Sequence, residues 1–391
     1  MIKIEKIEFA KGADYQELAA TVDGSHVWFR FPSWLNVTPR AEIFLPLALA
    51  EAMVRAEDVV VEGLPISSKL VTSLPEIVNI FCSWNSDDNH PISVQALTDA
   101  TPTSATSATS VICCFSGGID SSFSFSQHAS EITDLLVVMG FDESAAGAQW
   151  QQLINRLHGF ANAHNKRLIT VETNIRQVIE ARQLSWGACH GSVLAAIGIA
   201  LQARTLIIPS SYTYADLFPW GSHPLLDRLW STEVTTVIHD GVGYTRTQKT
   251  EQLLRHPDLL DGLQVCWKHF EKNCGHCSKC VRTSLALHML KATSANLPSY
   301  SGVQSLIVLK PGSLGGIPFV DDLIRLAKRT GHLAIARQLI RNRDRFLFKY
   351  HLIESIRAIL GKRGRWITRR FAKKTWHNDR TKIESGRVTL D

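Results

Sequence analysis

Two short stretches of this chain hold residue types whose spacing could do chemistry. The first, CCFSGGIDSSFSFS (113–126), sets an apolar run against two glycines and follows them with an acid and a run of serines. It reads as a buried strand that feeds a glycine turn and then a helix opening near Asp120. Gly117 and Gly118 let the backbone take positive φ and come close to a ligand, successive N–H groups converge into an anion-binding concavity, and the helix N-terminus adds about half a positive charge. Ser116, Ser121 and Ser122 would complete a phosphate cradle. The plainer alternative is a strand-to-helix turn in which Ser and Asp are ordinary N-caps. The second stretch, CWKHFEKNCGHCSKC, spaces Cys266, Cys274, Cys277 and Cys280 as C-x7-C-x2-C-x2-C. Four thiolates with a glycine after the second suit one structural, tetrahedral Zn2+. His269 or His276 could replace a ligand, and a catalytic or iron–sulfur role is the alternative.

The glycine turn resembles the SGG-x-D-[ST] signature of the PP-loop ATP pyrophosphatases. That resemblance implies a loop that grips the pyrophosphate of ATP, with Mg2+, while a substrate is adenylylated, and a catalytic role for Asp120. The chain has no G-x-x-x-x-G-K-[ST] pattern of the P-loop kind. A PP-loop followed about 145 residues later by the cysteine pattern and then Arg282 is similar to 7-cyano-7-deazaguanine synthase over residues 111–290. This implies a carboxylate substrate, a 7-deazapurine among the candidates, that is activated and transferred to nitrogen. It also implies that Lys249 in GYTRTQKTEQLL is the phosphate-side cation, with Arg246 second, and that the backbone around Met139 and Gly140 reads the adenine.

The long hydroxyl-rich and aromatic stretch IIPSSYTYADLFPWGSHP reads as a substrate loop with Ser210 and Asp216 as contacts, or as a solvated loop. Two places depart from the synthases. Where those carry a P-G-R-N-like and a Y-P-D-C-R-like stretch, this chain has SWGACHGS (185–192) and SSYTYADLFPWGSHP. His190 in the first is a candidate substrate contact or acid/base group, or simply a cap or polar core residue. The ATP chemistry therefore carries over better than the substrate does. Three other functions stand beside the leading one: attachment of a deazaguanine to a protein or other macromolecular acceptor in bacterial antiviral defence, tRNA thiolation by a PP-loop enzyme, and a non-enzymatic ATP-binding module.

The elements that must position these residues follow from pattern. The chain has 391 residues, 45% of them apolar and 20% charged, enough for two or three domains that need no disulfides. Residues 1–97 alternate strand-like and helix-like runs and read as a small α+β domain. Residues 98–110, TDATPTSATSATS, hold no bulky side chain and read as a flexible linker. From 111 to 310, short apolar runs alternate with amphipathic stretches, which gives a βαβα order and a parallel sheet covered on both faces, with the zinc knuckle at 266–283. Residues 318–391 read as a helical, basic extension.

Residues 337–382 carry 15 Lys+Arg against 3 Asp+Glu, leaving 27 against 33 elsewhere. A mildly acidic body with a basic appendage fits contact with a macromolecular acceptor, RNA or protein, or with an anionic membrane surface, or a helix docked on the body. The longest apolar run, VLAAIGIAL, is about half a bilayer span, so no transmembrane segment is expected. The N-terminus lacks the apolar block of a secretory signal, and the expected location is cytoplasmic.

Overall fold

The computed structural model describes residues 1–99, 109–141, 147–266, 269 and 272–372, with the backbone alone for 148 and 360–372. The chain opens on an antiparallel meander, β1 (Ile2–Lys11), β2 (Tyr15–Val22) and β3 (Ser25–Pro32), followed by α1 (Leu45–Arg55), β4 (Val59–Val61), β5 (Ile66–Ser67), α2 (Ser68–Trp84), β6 (Val94–Gln95) and β7 (Thr98–Asp99). An alternating region follows: β8 (Val111–Cys114), α3 (Ile119–His128), β9 (Asp134–Met139), α4 (Ala148–Ala163), β10 (Arg167–Thr173), α5 (Ile175–Ala181), α6 (Trp186–Ala200), β11 (Thr205–Pro209) and β12 (Thr236–Asp240). The rest is helical, with α7 (Arg246–Leu253), α8 (Pro257–Asp261), α9 (Ser278–Met289), α10 (Ile317–Arg329) and α11 (Leu333–Ala372).

Ten strands form one mostly parallel sheet in the order β12-β11-β8-β9-β10-β3-β2-β1-β4-β6, and the chain is an α/β protein. Both faces of its centre are covered, which is why VICCF is apolar throughout. Ile112 and Cys114 face one core, whereas Val111, Cys113 and Phe115 face the other. The first core takes in α1, α2 and α6, and the second takes in α4, the cysteines and residues of α8 and α9. Residues 1–97 contribute strands to the common sheet through the antiparallel pairs Glu172↔Arg30 and Thr173↔Phe29, and contribute helices to the first core. Strand alternation alone gives no signal for this sharing, because an independent meander would look the same.

In the stretch read as a linker, Thr98–Asp99 pairs in parallel with Ile66–Ser67, and residues 100–108 lie outside the described residues. The basic region is helical as far as Ala372, and its remainder, 373–391, lies outside them too. The start of α11 packs on α10 through Ile335, Ala336 and Leu339. Among the described residues no helix is long and apolar enough to cross a membrane.

From β8 the chain runs outward through β9 to β10, then returns to place β11 and β12 on the other side of β8. The winding reverses between β8 and β11, and the crevice beyond the carboxyl ends of these two strands is where such a sheet accepts ligands.

Candidate anion site and cysteine cluster

Gly117 stands at φ +75° in the turn after β8, and its carbonyl accepts a 2.8 Å bond from the Gln264 N–H. Gly118 is the N-cap of α3, and no side chain caps that helix. No side chain therefore satisfies the first N–H groups of α3, and the turn is not one that Ser or Asp caps in the ordinary way. Ser116 is exposed on the turn, while Ser121 and Ser122 are buried behind it. Ser121 Oγ donates to the Gly118 carbonyl at 3.1 Å.

Asp120, in the first turn of α3, is met by two cations from one other helix, α7. Arg246 Nη1 donates to its Oδ2 at 2.6 Å and Lys249 Nζ to its Oδ1 at 3.4 Å. Lys249 is 1% exposed and also donates to the Ser210 carbonyl at 2.6 Å and to Ser210 Oγ at 3.2 Å. Both cations open α7, which Thr245 and Gln248 close with a reciprocal capping box. Asp322 of α10 ties down the same end by accepting from the Thr247 N–H and hydroxyl, each at 2.8 Å. Room for the lysine comes from Gly241, at φ +82°: a Cβ there would lie 3.2 Å from Lys249 Nζ and 3.3 Å from the Phe123 ring.

Arg282, on α9, lies over the Phe319 ring with its guanidinium carbon 4.2 Å from the centroid. Its buried Nε and that of Arg246 have no hydrogen-bond partner. Burial, reinforced by Arg246, pulls the Arg282 pKa down to about 9, and burial also lowers that of Lys249. Burial would raise the Asp120 carboxyl, but Arg246, Lys249 and Arg282 outweigh it and hold it below its ordinary value. Two cations thus contact Asp120 at the switch point and a third, Arg282, acts on it at longer range, with Asp322 and Asp240 also within electrostatic reach of these cations; a set of three cations can attract an oxyanion or polyphosphate.

One consequence is testable through acid stability. Because the folded Asp120 pKa lies below the ordinary carboxylate value, the stabilisation it provides is complete above that value and is lost as pH falls through the folded one. Asp120→Asn should therefore cost about 2 kcal/mol in urea unfolding near neutral pH, and the gap to wild type should close below about pH 4. A gap that persists unchanged into acid would remove the ion-pair account.

The other sequence candidates fall in different places. Ser210 is fully buried and belongs to the cluster through Lys249. Gly140 stands at φ +96°, and a Cβ there would lie 2.0 Å from the Thr173 carbonyl, so close passage of the β9 and β10 ends requires glycine. Met139 is half-buried beside it. Asp216 is engaged within its own turn, accepting from Thr213 Oγ1 at 2.7 Å, and is not brought to Asp120. His190 sits on α6 with Nδ1 3.2 Å from the Gly187 carbonyl and its ring 4.8 Å from that of Trp220. Burial lowers its pKa, and it too stands apart from the cations. Sequence reasoning did not single out Gln264, Asp240 or Asp322. Asp240, at the end of β12, accepts from Ser124 Oγ at 2.6 Å and lies 3.1 Å from His128 Nε2, which joins α3 to that strand.

The sulfur atoms of Cys266, Cys274, Cys277 and Cys280 all lie within 4.8 Å of one another, and this set could hold a metal such as zinc. Backbone N–H groups point at two of them: Cys277 N–H at Cys274 Sγ, 3.3 Å, and Cys280 N–H at Cys277 Sγ, 3.5 Å. Hydrogen bonding among the sulfurs lowers the Cys277 thiol, with Cys280 the largest cause, and raises Cys280 in turn, so the four thiols behave as one coupled group. His276 Nδ1 is turned to the Cys274 carbonyl at 2.8 Å, and the group of four sulfurs is the one that could serve as a donor set. Asn273 Oδ1 fixes the first ligand by accepting from the Val265 and Cys266 N–H groups, both at 2.9 Å. Gln264 joins the two motifs, donating through its backbone N–H to Gly117 and through Nε2 to the His269 carbonyl at 2.8 Å.

Comparison of the chain with protein families, with curated proteins and with solved structures finds no match in any of the three.

Proposed function

We propose that the chain is an ATP-dependent enzyme of the PP-loop pyrophosphatase kind, which adenylylates a carboxylate and passes the acyl group to a nitrogen nucleophile. The observation that carries this reading is the convergence of Arg246, Lys249 and Arg282 on Asp120 beside a glycine turn and an uncapped helix N-terminus. A carboxylate oxygen would attack the α-phosphorus of ATP and the bond to the β-phosphate would break, releasing pyrophosphate. The nitrogen would then add to the acyl carbon, lose a proton, and displace AMP. Lys249, held rigidly by Ser210, and the two arginines would stabilise the charge that builds on the departing pyrophosphate. Asp120 would be the carboxylate that holds the Mg2+ accompanying ATP, once Arg246 and Lys249, which now engage its two oxygens, turn to the phosphates. The acyl substrate is proposed to be a 7-deazapurine carboxylate or a relative of it.

A macromolecular acceptor is favoured by α11, on which Phe348 (70% exposed) and Leu352 stand in the open among Arg345, Lys349 and Arg357. The test is product identity. With ATP, Mg2+, a 7-deazapurine carboxylate and an amine, AMP and pyrophosphate are expected, whereas ADP and phosphate as the only products would overturn the reading.

A further inference from the structure

α11 leaves one long line of its surface uncovered. Its inner side is fastened to the body. Ile335, Ala336 and Leu339 join the core shared with α9 and α10, Asn342 Nδ2 donates to the Leu306 carbonyl at 2.9 Å and Arg343 Nη1 to Asp321 at 2.8 Å, and Phe346 is buried against Ile317. The outer side carries Arg337, Arg341 and Arg345, all exposed, and then Phe348 (70% exposed), Leu352 (49%) and Ile359 (80%). At 3.6 residues per turn these six positions fall within about 80° of one another, so they form one stripe along the helix. The acid beside this stripe, Asp344, is held by Arg343 Nε at 2.9 Å.

The chemistry of the stripe selects what covers it. RNA would answer the cations, since phosphates carry its affinity and its bases stack on aromatic rings, but it would leave Leu352 and Ile359 in water. A second copy of the helix would cover them only by setting two cationic lines against each other. An anionic lipid surface meets both halves, with phosphate and carboxylate headgroups against the arginines and acyl chains against Phe348, Leu352 and Ile359. The stripe runs about 27 Å from Arg341 to Ile359 along one unbroken helix, which suits a plane better than a groove. The helical backbone continues to Ala372, and residues 361–372 add five Lys/Arg with one Trp, one Phe and no acid. Outside residues 337–382 the chain carries 27 Lys+Arg against 33 Asp+Glu, so the net attraction to an anionic surface lies at this end.

We infer that α11 is a peripheral anchor that seats the chain on an anionic lipid surface. The helix lies in the headgroup plane, turning Phe348, Leu352 and Ile359 to the acyl chains and Arg337, Arg341 and Arg345 to the headgroups. It rests on the bilayer, since among the described residues no helix is long and apolar enough to cross one. As a binding claim this stands without the ATP reading; that an acceptor is met at the membrane surface rests on it.

The experiment is co-sedimentation of the full chain with vesicles of phosphatidylcholine alone and of phosphatidylcholine with about 30 mol% phosphatidylserine, alongside titration with single-stranded RNA. Saturable binding to the anionic vesicles is expected, at least about tenfold tighter than to the neutral ones, because each cation near the surface contributes about fivefold. Arg341→Glu combined with Arg345→Glu should weaken it about 25-fold or more. Phe348→Ser combined with Ile359→Ser should weaken it at least about tenfold with the melting temperature unchanged, since both side chains are exposed. No binding to the anionic vesicles, equal binding to both kinds, or binding undiminished in the Phe348→Ser, Ile359→Ser variant would overturn the proposal. So would RNA that binds more tightly than the anionic vesicles and equally to wild type and that variant, which would give the stripe to nucleic acid. Vesicle binding by a chain that releases no pyrophosphate from ATP would instead sink the transfer reading alone.

Discussion

Lys249→Met is expected to lower pyrophosphate release from ATP by about 10³-fold while the chain stays folded. The lysine is fully enclosed, fixed by Ser210 at the end of β11 and aimed at Asp120, so its charge is preorganised and costs no rearrangement when negative charge develops on a leaving group. Removing one such donor from a water-excluded site typically costs 10²–10³, and here the ligand also loses a full charge. The effect on stability should be much smaller. Burial already disfavours the charged lysine, and Asp120 keeps Arg246 at 2.6 Å, so loss of the ammonium removes a desolvation penalty together with its hydrogen bonds. Pyrophosphate release and thermal melting, measured on the same preparation, separate the two effects. Turnover within threefold of wild type would contradict the role given to Lys249; a collapse in melting temperature would make it a structural residue.

Stripping the cysteine cluster, or Cys277→Ser, should have the largest effect on stability. Structural zinc contributes on the order of 10 kcal/mol in small zinc domains, and here Cys266, Cys277 and Cys280 are part of the core that also holds Phe115, Phe125 and Leu157. The damage should spread to the glycine turn, because Gln264 ties Gly117 to this region through its backbone and side chain. A chelator is therefore expected to lower both the melting temperature and ATP binding, with about one zinc per chain recovered in the chelate. Protein that is folded, melts unchanged and yields no metal would remove the zinc assignment.

Both motifs are legible in the sequence because each imposes a local constraint: glycines where the chain must turn at the end of an apolar strand, and cysteines at a spacing that makes their sulfurs converge. The βαβα order is legible for the same reason, since VICCF, DLLVVM and TLIIP are continuous apolar runs of strands buried on both faces. What escapes is non-local. β12 lies at the sheet edge, with Thr236 and Ile238 exposed, and its short, mixed pattern hides both the strand and Asp240 at its end. Asp322 reaches α7 across 75 residues, a pairing that no spacing rule announces. The joining of residues 1–97 to the common sheet depends on one edge contact between β3 and β10. His190 and Asp216 offer only a residue type within the right segments. The structure instead gives one to an aromatic cluster and the other to a loop turn.

The account stands on the switch-point cations forming a nucleotide site, and a titration of the intact chain with ATP and Mg2+ measures that most directly. It predicts saturable binding of one ATP per chain, weakened at least about tenfold in Arg282→Ala, whose guanidinium has no carboxylate partner among the described residues, and weakened further in Lys249→Met. No saturable binding at millimolar ATP, or equal affinity in wild type and both variants, would contradict it.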